Sequence, residues 1–411
     1  MKILLINSRY FIYGGAEKYT FGVMNLLEKN GHEVIPFSVK NPKNQNTKYS
    51  RYFVDAIGGN DKVFYEEYKK TPKTIYQLLE RQIYSFEVKK KLGKLIKDTK
   101  PDVAYILHHA NKLSPSVIDA CKKEGVPTVV RISDFSLLCV DHFLLRDGRV
   151  CEKCIEKNPL QSVKYSCVKN SKLASLVKSS SLFLHRFLKT YQKVDHFVVP
   201  SNHTIKKLSV ILDKDKMTCV PTPVNKQNKQ KKIGDYILCV GRLEEEKGFI
   251  YAIKAVEGTN IKLKISGNTH SGYGNKLFDY VKNKKLKNVE FLGLKSQEEL
   301  QKIYSEAILV VIPGIWYENL PNVSLEAMAH SNPLVVSDLG SMKEIVKNGY
   351  NGFRFPEKNY KKLRELITSL LDNKNELRKL GENSYKNAIS TYSPENHYKK
   401  LISIFKQVAK K

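Results

Sequence analysis

Apolar residues along the chain fall into short runs, and most runs are followed by a stretch with helical spacing. "KILLIN" reads as a buried strand, "GGAEKYTFGVMNLLEKNGH" as a turn and a helix closed by Gly31, and "EVIPFSV" as the next strand. Strand, helix and strand in that order imply a right-handed crossover in a parallel sheet. The alternation recurs in "PDVAYIL", "LSPSVIDACKKEG" and "VPTVVRIS", and in "VDHFVVPS" followed by "NHTIKKLSVIL". Residues 1–195 are therefore expected to form one doubly wound α/β unit, carrying a loop-rich insertion at 139–167.

The rhythm breaks at "TCVPTPVNKQNKQKKIGD", which is nearly devoid of apolar residues and reads as a linker, so 196–232 are assigned to a last strand and helix and an inter-domain connection. It restarts with "YILCVGRL", "IKLKISG", "NVEFLG", "ILVVIPG" and "PLVVSD", giving a second α/β domain at 233–390. Residues 391–411 begin with a capping Ser393 and Pro394 and form a final helix able to pack back on the N-terminal domain. The expected fold class is α/β, two doubly wound Rossmann-like domains facing a central cleft at the carboxyl ends of their strands.

Composition supports this reading, because 411 residues with 41% hydrophobic content suffice for two cores. A formal net charge of +29 predicts attraction to a polyanion, whether nucleic acid, an anionic membrane face or a phosphorylated substrate. Solvated surface lysine without a partner is an equal alternative. The lysines are dispersed and no nucleic-acid motif interleaves them with aromatics, so nucleic acid is not expected as a partner. The N-terminus "MKILLINSRY" is too short for a signal-peptide core, and no stretch reaches the roughly 20 apolar residues of a membrane span. A cytoplasmic protein is expected, peripheral on the inner membrane face where it meets a membrane.

Several residues carry candidate chemistry. Gly14 and Gly15 lie between the first strand and helix, where glycine lets backbone approach a ligand and the helix start offers N–H groups to an anion. The third glycine of a dinucleotide fingerprint is missing and no phosphate-binding P-loop occurs. Arg242 and Lys247 in "VGRLEEEKG" follow the first strand of the second domain, where two cations suit the charge of a departing diphosphate. In "WYENLPNVSLEA", Pro321 fits a first helical turn and Asn319 its cap. Glu318 lies outside that helix and Glu326 inside it, at different depths of one pocket. Glu326 can accept hydrogen bonds from neighbouring ribose hydroxyls, and Glu318 can reach a sugar beyond the phosphates.

"GGAE", "YILCVGRLEEEKG" and "WYENLPNVSLEAMAHSNPLVVSDLGSMKEIVKNGYNGF" together resemble the family 4 retaining glycosyltransferases of GT-B fold, over nearly the whole chain. The resemblance implies a nucleotide-sugar donor held mainly by the C-terminal domain, with Arg242 and Lys247 on its diphosphate, Glu318 on the sugar and Glu326 on the ribose. Asn319, Leu320, Pro321 and Asn322 would lie near the sugar and phosphates, and Gly14 and Gly15 would approach the donor from the other domain. It further implies transfer to a hydroxyl of a glycan or lipid-linked acceptor with retained configuration and no cofactor required for catalysis. One departure stands out: many relatives place a histidine after the strand corresponding to "PTVVRIS", where this chain has Ser133 and Asp134. Asp134, His108 or His109 takes over its role, or the sugar contact differs.

Cys139, Cys151, Cys154 and Cys167 form C-x11-C-x2-C-x12-C in the insertion. That pattern fits a closed structural zinc site, with reduced unliganded thiols and a disulfide as alternatives. Cys121, Cys219 and Cys239 read as core. Next, "SKLASLVKSSSLFLHRFLKTYQKV" carries an apolar helical stripe among Lys172, Lys178, Arg186, Lys189 and Lys193. The stripe is expected to pack on its own domain; docking on an anionic membrane, which would present the enzyme to a lipid-linked acceptor, is the alternative. Two rival functions use the same features: a GT-B epimerase or phosphorylase working in the same cleft, and a basic nucleic-acid-binding protein.

Overall fold

The computed structural model describes residues 1–59, 67–69, 71–227, 234–268 and 272–410; residues 228–232 of the expected linker lie outside them. The first domain contains β1 (Lys2–Asn7), β2 (Glu33–Phe37), β3 (Val103–His108), β4 (Thr128–Arg131), a hairpin of β5 (Leu145–Arg146) and β6 (Arg149–Val150), then β7 (His196–Val199) and β8 (Met217–Cys219). Its sheet runs β2-β1-β3-β4-β7-β8 with every neighbour parallel. The second domain contains β9 (Tyr236–Val240), β10 (Lys262–Ser266), β11 (Val289–Gly293), β12 (Val310–Ile312), β13 (Leu334–Ser337) and β14 (Gly352–Phe355), in the parallel order β11-β10-β9-β12-β13-β14.

Near-continuous apolar runs form these strands because helices cover both faces of each sheet. In β1, Leu4 and Ile6 enter one hydrophobic cluster while Ile3 and Leu5 enter the other. In β9, Ile237 and Cys239 face one side and Tyr236 and Leu238 the opposite one. Strand order reverses at β1/β3 and again at β9/β12. A doubly wound sheet opens a crevice at the carboxyl ends of its strands at such a point.

The last helix, Pro394–Ala409, returns to the first domain. Ser393 caps it by accepting from the Asn396 N–H at 3.3 Å, and Leu401, Ile404, Phe405 and Val408 pack with Ile3, Leu5, Val103 and Tyr105. Its first turn is fixed by a buried polar chain. His397 Nδ1 stands 2.8 Å from the Pro221 carbonyl oxygen, which can only accept, so Nδ1 donates. Nε2 then accepts from the Tyr19 hydroxyl at 3.1 Å, which in turn accepts from the Tyr105 hydroxyl at 2.7 Å. Burial, and then the nearby Arg131 charge, hold His397 neutral, its pKa pushed down to about 3.

The helix that follows the insertion departs from one expectation. Helix Lys172–Phe187 does not bury its apolar stripe: it buries Ser175, Ser179, Ser181 and His185, and leaves Leu173, Leu176, Phe183 and Phe187 exposed. The inward face is held by hydrogen bonds, Ser179 donating to the Pro159 carbonyl at 2.9 Å and Ser181 to the Gln82 carbonyl at 2.7 Å.

Neutral His397 has a pH consequence. The unfolded chain takes up a proton on this residue below about 6.5 while the folded chain does not, so stability drains away as pH falls. Melting temperature should drop from pH 7 to 5, and His397→Gln should flatten that slope; identical slopes would remove His397 from the balance.

Candidate active site

The loop after β9 and the segment after β12 meet at the switch point of the second sheet. Gly248 (φ 67) makes this possible, since a side chain there would run into the Pro313 carbonyl oxygen. Lys247 Nζ reaches Glu318 Oε1 at 2.5 Å, and Trp316 Nε1 donates to the same oxygen at 3.0 Å. The lysine also stands 5.1 Å from the centre of the Trp316 ring. Glu318 is buried, and its carbonyl accepts from the Ser341 hydroxyl at 2.8 Å. Arg242, half exposed at the strand end, pairs with Glu246 at 2.9 Å. The two expected cations are therefore each paired with a carboxylate.

Glu326 occupies different ground. It lines a cavity of about 570 Å³ between the domains together with Gly15, Lys18, Tyr19, Tyr304 and Asn322. Tyr304 donates to Glu326 Oε2 at 3.1 Å. Burial raises the Glu326 carboxyl above its ordinary range, with Tyr304 and Lys18 opposing. The domains come close here: a methyl group on Gly15 would stand 3.1 Å from Asn322 Nδ2. Gly14 caps helix Gly15–Lys29, and its N–H donates to Glu17 Oε2 at 2.9 Å. Lys18 Nζ donates to Gln297 Oε1 across the gap at 2.7 Å.

The structure thus brings Gly15, Asn322 and Glu326 into one cavity, while Arg242, paired with Glu246, and the Lys247–Glu318 pair do not line it. Asn319 is not the helix cap: helix Asn322–Ala329 is capped at Pro321, and Asn319 Oδ1 instead accepts from the Thr204 hydroxyl of the first domain at 2.6 Å. Leu320 packs at the margin of the second-domain core.

A second cavity, about 290 Å³, opens in the first domain where β3 and β4 end, with His108, Asp134, His142, Lys178 and Tyr191 in its wall. Burial pushes Asp134 up, but His142, the Ser136 N–H and His108 outweigh it, and the carboxyl lies below its usual range. His109 turns away, its Nε2 3.1 Å from the Tyr191 hydroxyl and its pKa lowered by burial to about 3. His142 was not singled out from the sequence, and Lys178 was read only as a cation of the helical stripe; the fold carries both to this wall. His142 adjoins Phe143, whose ring lies 5.1 Å from that of Trp316, so the insertion reaches the Lys247–Glu318 cluster.

The four insertion cysteines are free thiols. Cys139 and Cys154 touch, and the pairing with Cys154 lowers the Cys139 thiol against the effect of burial. Cys151 and Cys167 are near enough to raise Cys154 further. Among the described residues no group of three or more His, Cys, Asp or Glu is arranged to hold a metal ion.

Two parallel-stranded Rossmann-like domains with opposed strand ends and an inter-domain cavity define the GT-B class of glycosyltransferase fold. The chain belongs to Glycosyltransferase Family 4, whose model matches residues 13–228, and the Glycosyl transferases group 1 model matches residues 223–387. It is 28% identical to an uncharacterized glycosyltransferase of Methanocaldococcus jannaschii over 68% of this chain and 74% of that one. A second from that organism is 33% identical over 41% of this chain, a match that spans only 44% of the relative's length. Among solved structures it is similar to sucrose-phosphate synthase from Thermosynechococcus elongatus, with a TM-score of 0.71 at 16% identity over 99% of this chain and 98% of that one. It is also similar to Anabaena HepE in complex with UDP, with a TM-score of 0.65 at 13% identity, covering 99% and 100%.

The Lys247–Glu318 pair generates a test. Lys247→Met leaves a buried carboxylate without its cation and should destabilise the fold by about 3 kcal/mol. Adding Glu318→Gln should recover much of that loss in urea melts; strictly additive losses would mean that the pair is not coupled in solution.

Proposed function

We propose that this glycosyltransferase moves a hexose from a nucleoside diphosphate donor to a hydroxyl of a glycan or lipid-linked acceptor, with retention of configuration. The observation that supports it best is the inter-domain cavity, where the Glu326 carboxylate faces Gly15 and Lys18 across a gap of nucleotide size. Glu326 would accept hydrogen bonds from the ribose hydroxyls; Arg242 and Lys247 would meet the diphosphate; Glu318, once Lys247 turns to the anion, would meet the sugar. Bond by bond, the link between the anomeric carbon and the diphosphate oxygen breaks while the acceptor oxygen bonds to the same face of that carbon. The acceptor proton passes to the departing diphosphate. Glu318 acts here as a positioning and electrostatic group.

The acceptor side is the smaller cavity of the first domain. There Asp134, His108 and His142 stand together in the quarter where the family resemblance would place a histidine and this chain has Ser133. An epimerase or phosphorylase would use the same cleft, and incubation with donor alone separates these from transfer. For the cysteines, a structural zinc on Cys139, Cys151, Cys154 and Cys167 is supported by their spacing and by the Cys139–Cys154 contact; an ion would have to draw Cys151 and Cys167 in. Elemental analysis should then find one equivalent of zinc, lost in Cys151→Ser, and a metal-free folded protein would assign them as plain thiols.

A thermal-shift screen against UDP-, GDP- and ADP-sugars without added metal should single out one base class. Glu326→Ala should weaken that binding roughly 10- to 100-fold, the worth of hydrogen bonds to a charged group, with the fold retained. Unchanged nucleotide affinity in the variant would count against the cavity as the donor site.

A further inference from the structure

Two neighbouring helices of the first domain are built inside out. Helix Pro72–Ile83 buries Thr74 and Arg81 and exposes Ile75, Tyr76, Leu79 and Ile83, with Phe86 exposed just beyond its end. Helix Lys172–Phe187 buries serines and exposes Leu173, Leu176, Phe183 and Phe187, a spacing of three, seven and four that keeps them on one side. Exposure reaches 72% at Leu173, 75% at Phe187, 73% at Phe86 and 67% at Tyr76, far beyond incidental surface carbon. The helices are pinned together where Ser181 donates to the Gln82 carbonyl. A soluble chain rarely leaves so much contiguous apolar surface without an occupant.

The inward faces explain the inversion. Lys178, Ser181 and His185 line the 290 Å³ cavity with Asp134 and His108, so a polar cavity lies directly beneath the apolar surface. Arg186 also turns inward, donating to the Leu137 and Leu138 carbonyls at 3.0 and 3.1 Å. The cations that remain outward flank the apolar stripes, with Lys172 and Lys189 at the two ends of one helix and Lys73 at the start of the other. From Lys169 to Val194 the chain has no acidic residue, while it carries Lys169, Lys172, Lys178, Arg186, Lys189 and Lys193. Of these, Lys178 and Arg186 turn inward and Lys193 pairs with Asp119, so Lys172 and Lys189 are the cations this helix leaves exposed, and Glu80 is the acidic residue of its neighbour.

From this juxtaposition of an exposed two-helix apolar face, flanking lysines and a polar cavity beneath, we propose that helices Pro72–Ile83 and Lys172–Phe187 seat the protein on an anionic lipid bilayer. Apolar side chains enter the headgroup boundary while the lysines meet lipid phosphates. No helix among the described residues is long and apolar enough to cross a membrane, so the contact is interfacial. The proposal rests on the acceptor reading above and deepens it: the acceptor is carried on a lipid and enters the first-domain cavity from the membrane side.

The test is flotation of the full chain with vesicles of phosphatidylglycerol or of phosphatidylcholine, with a Leu173→Glu/Phe187→Glu double variant beside it. The wild type should float with the anionic vesicles, more weakly at high salt, and the double variant should bind about tenfold less. Both substitutions are at exposed positions, so matching melting curves confirm that the variant folds. No flotation of the wild type, or equal flotation of the variant, overturns the proposal. A wild-type dimer that the variant splits also overturns it, giving the face to a second copy. The nucleotide-sugar thermal shift is read on the same samples. Vesicle binding without a nucleotide response would keep this surface and remove the catalytic reading, and the reverse result would remove the surface alone.

Discussion

The cleft depends on one buried polar chain centred on Tyr19. Its hydroxyl accepts from Tyr105 and donates to His397, and its ring carries the Arg131 guanidinium 3.7 Å from the centre. Arg131 in turn donates to the Thr222 hydroxyl at 2.8 Å. Tyr19 therefore ties together the first helix, β3, β4, the outgoing connection at Pro221 and Thr222, and the returning last helix. It also lines the cavity that holds Glu326. The chain crosses between domains twice, and both crossings are fastened at this point. Buried networks of this kind are costly when broken, because every member left unpaired keeps its desolvation penalty.

Charge in the cleft is arranged in pairs. Lys247 lies against Glu318 and Arg242 against Glu246, so neither cation is exposed alone in the state described. Such pairing limits the cost of burying charge. Glu326 is served differently: Tyr304 is its hydrogen-bond partner, and burial raises its carboxyl. Hydroxyl donors of a ligand would relieve that penalty where a carboxylate partner would not.

The strands were legible because each is buried on both faces, which writes a continuous apolar run into the sequence: "KILLIN" and "YILCV" become β1 and β9. Helix Lys172–Phe187 was legible as a helix but not in its orientation. Periodicity reveals a stripe, and nothing local says that Ser179 and Ser181 will find carbonyl partners that let the polar side turn inward. Asn319 looked like a cap because its neighbours fit one, yet Thr204, distant in sequence, captures its side chain. The cavity roles of His142 and Lys178 were not legible for the same reason, since their neighbours come from other segments.

The insertion joins two surfaces with different chemistry. Phe143 packs on Trp316 beside the Lys247–Glu318 pair, while Arg186 donates to the Cys154, Leu137 and Leu138 carbonyls and so ties the insertion's loops to the exposed helix. A shift of that helix would therefore be felt at the Leu137 and Leu138 carbonyls, and through Phe143 at Trp316. Close-packed interiors transmit such displacements because they deform little. The same segment that offers an apolar face outward thus forms one wall of the first-domain cavity.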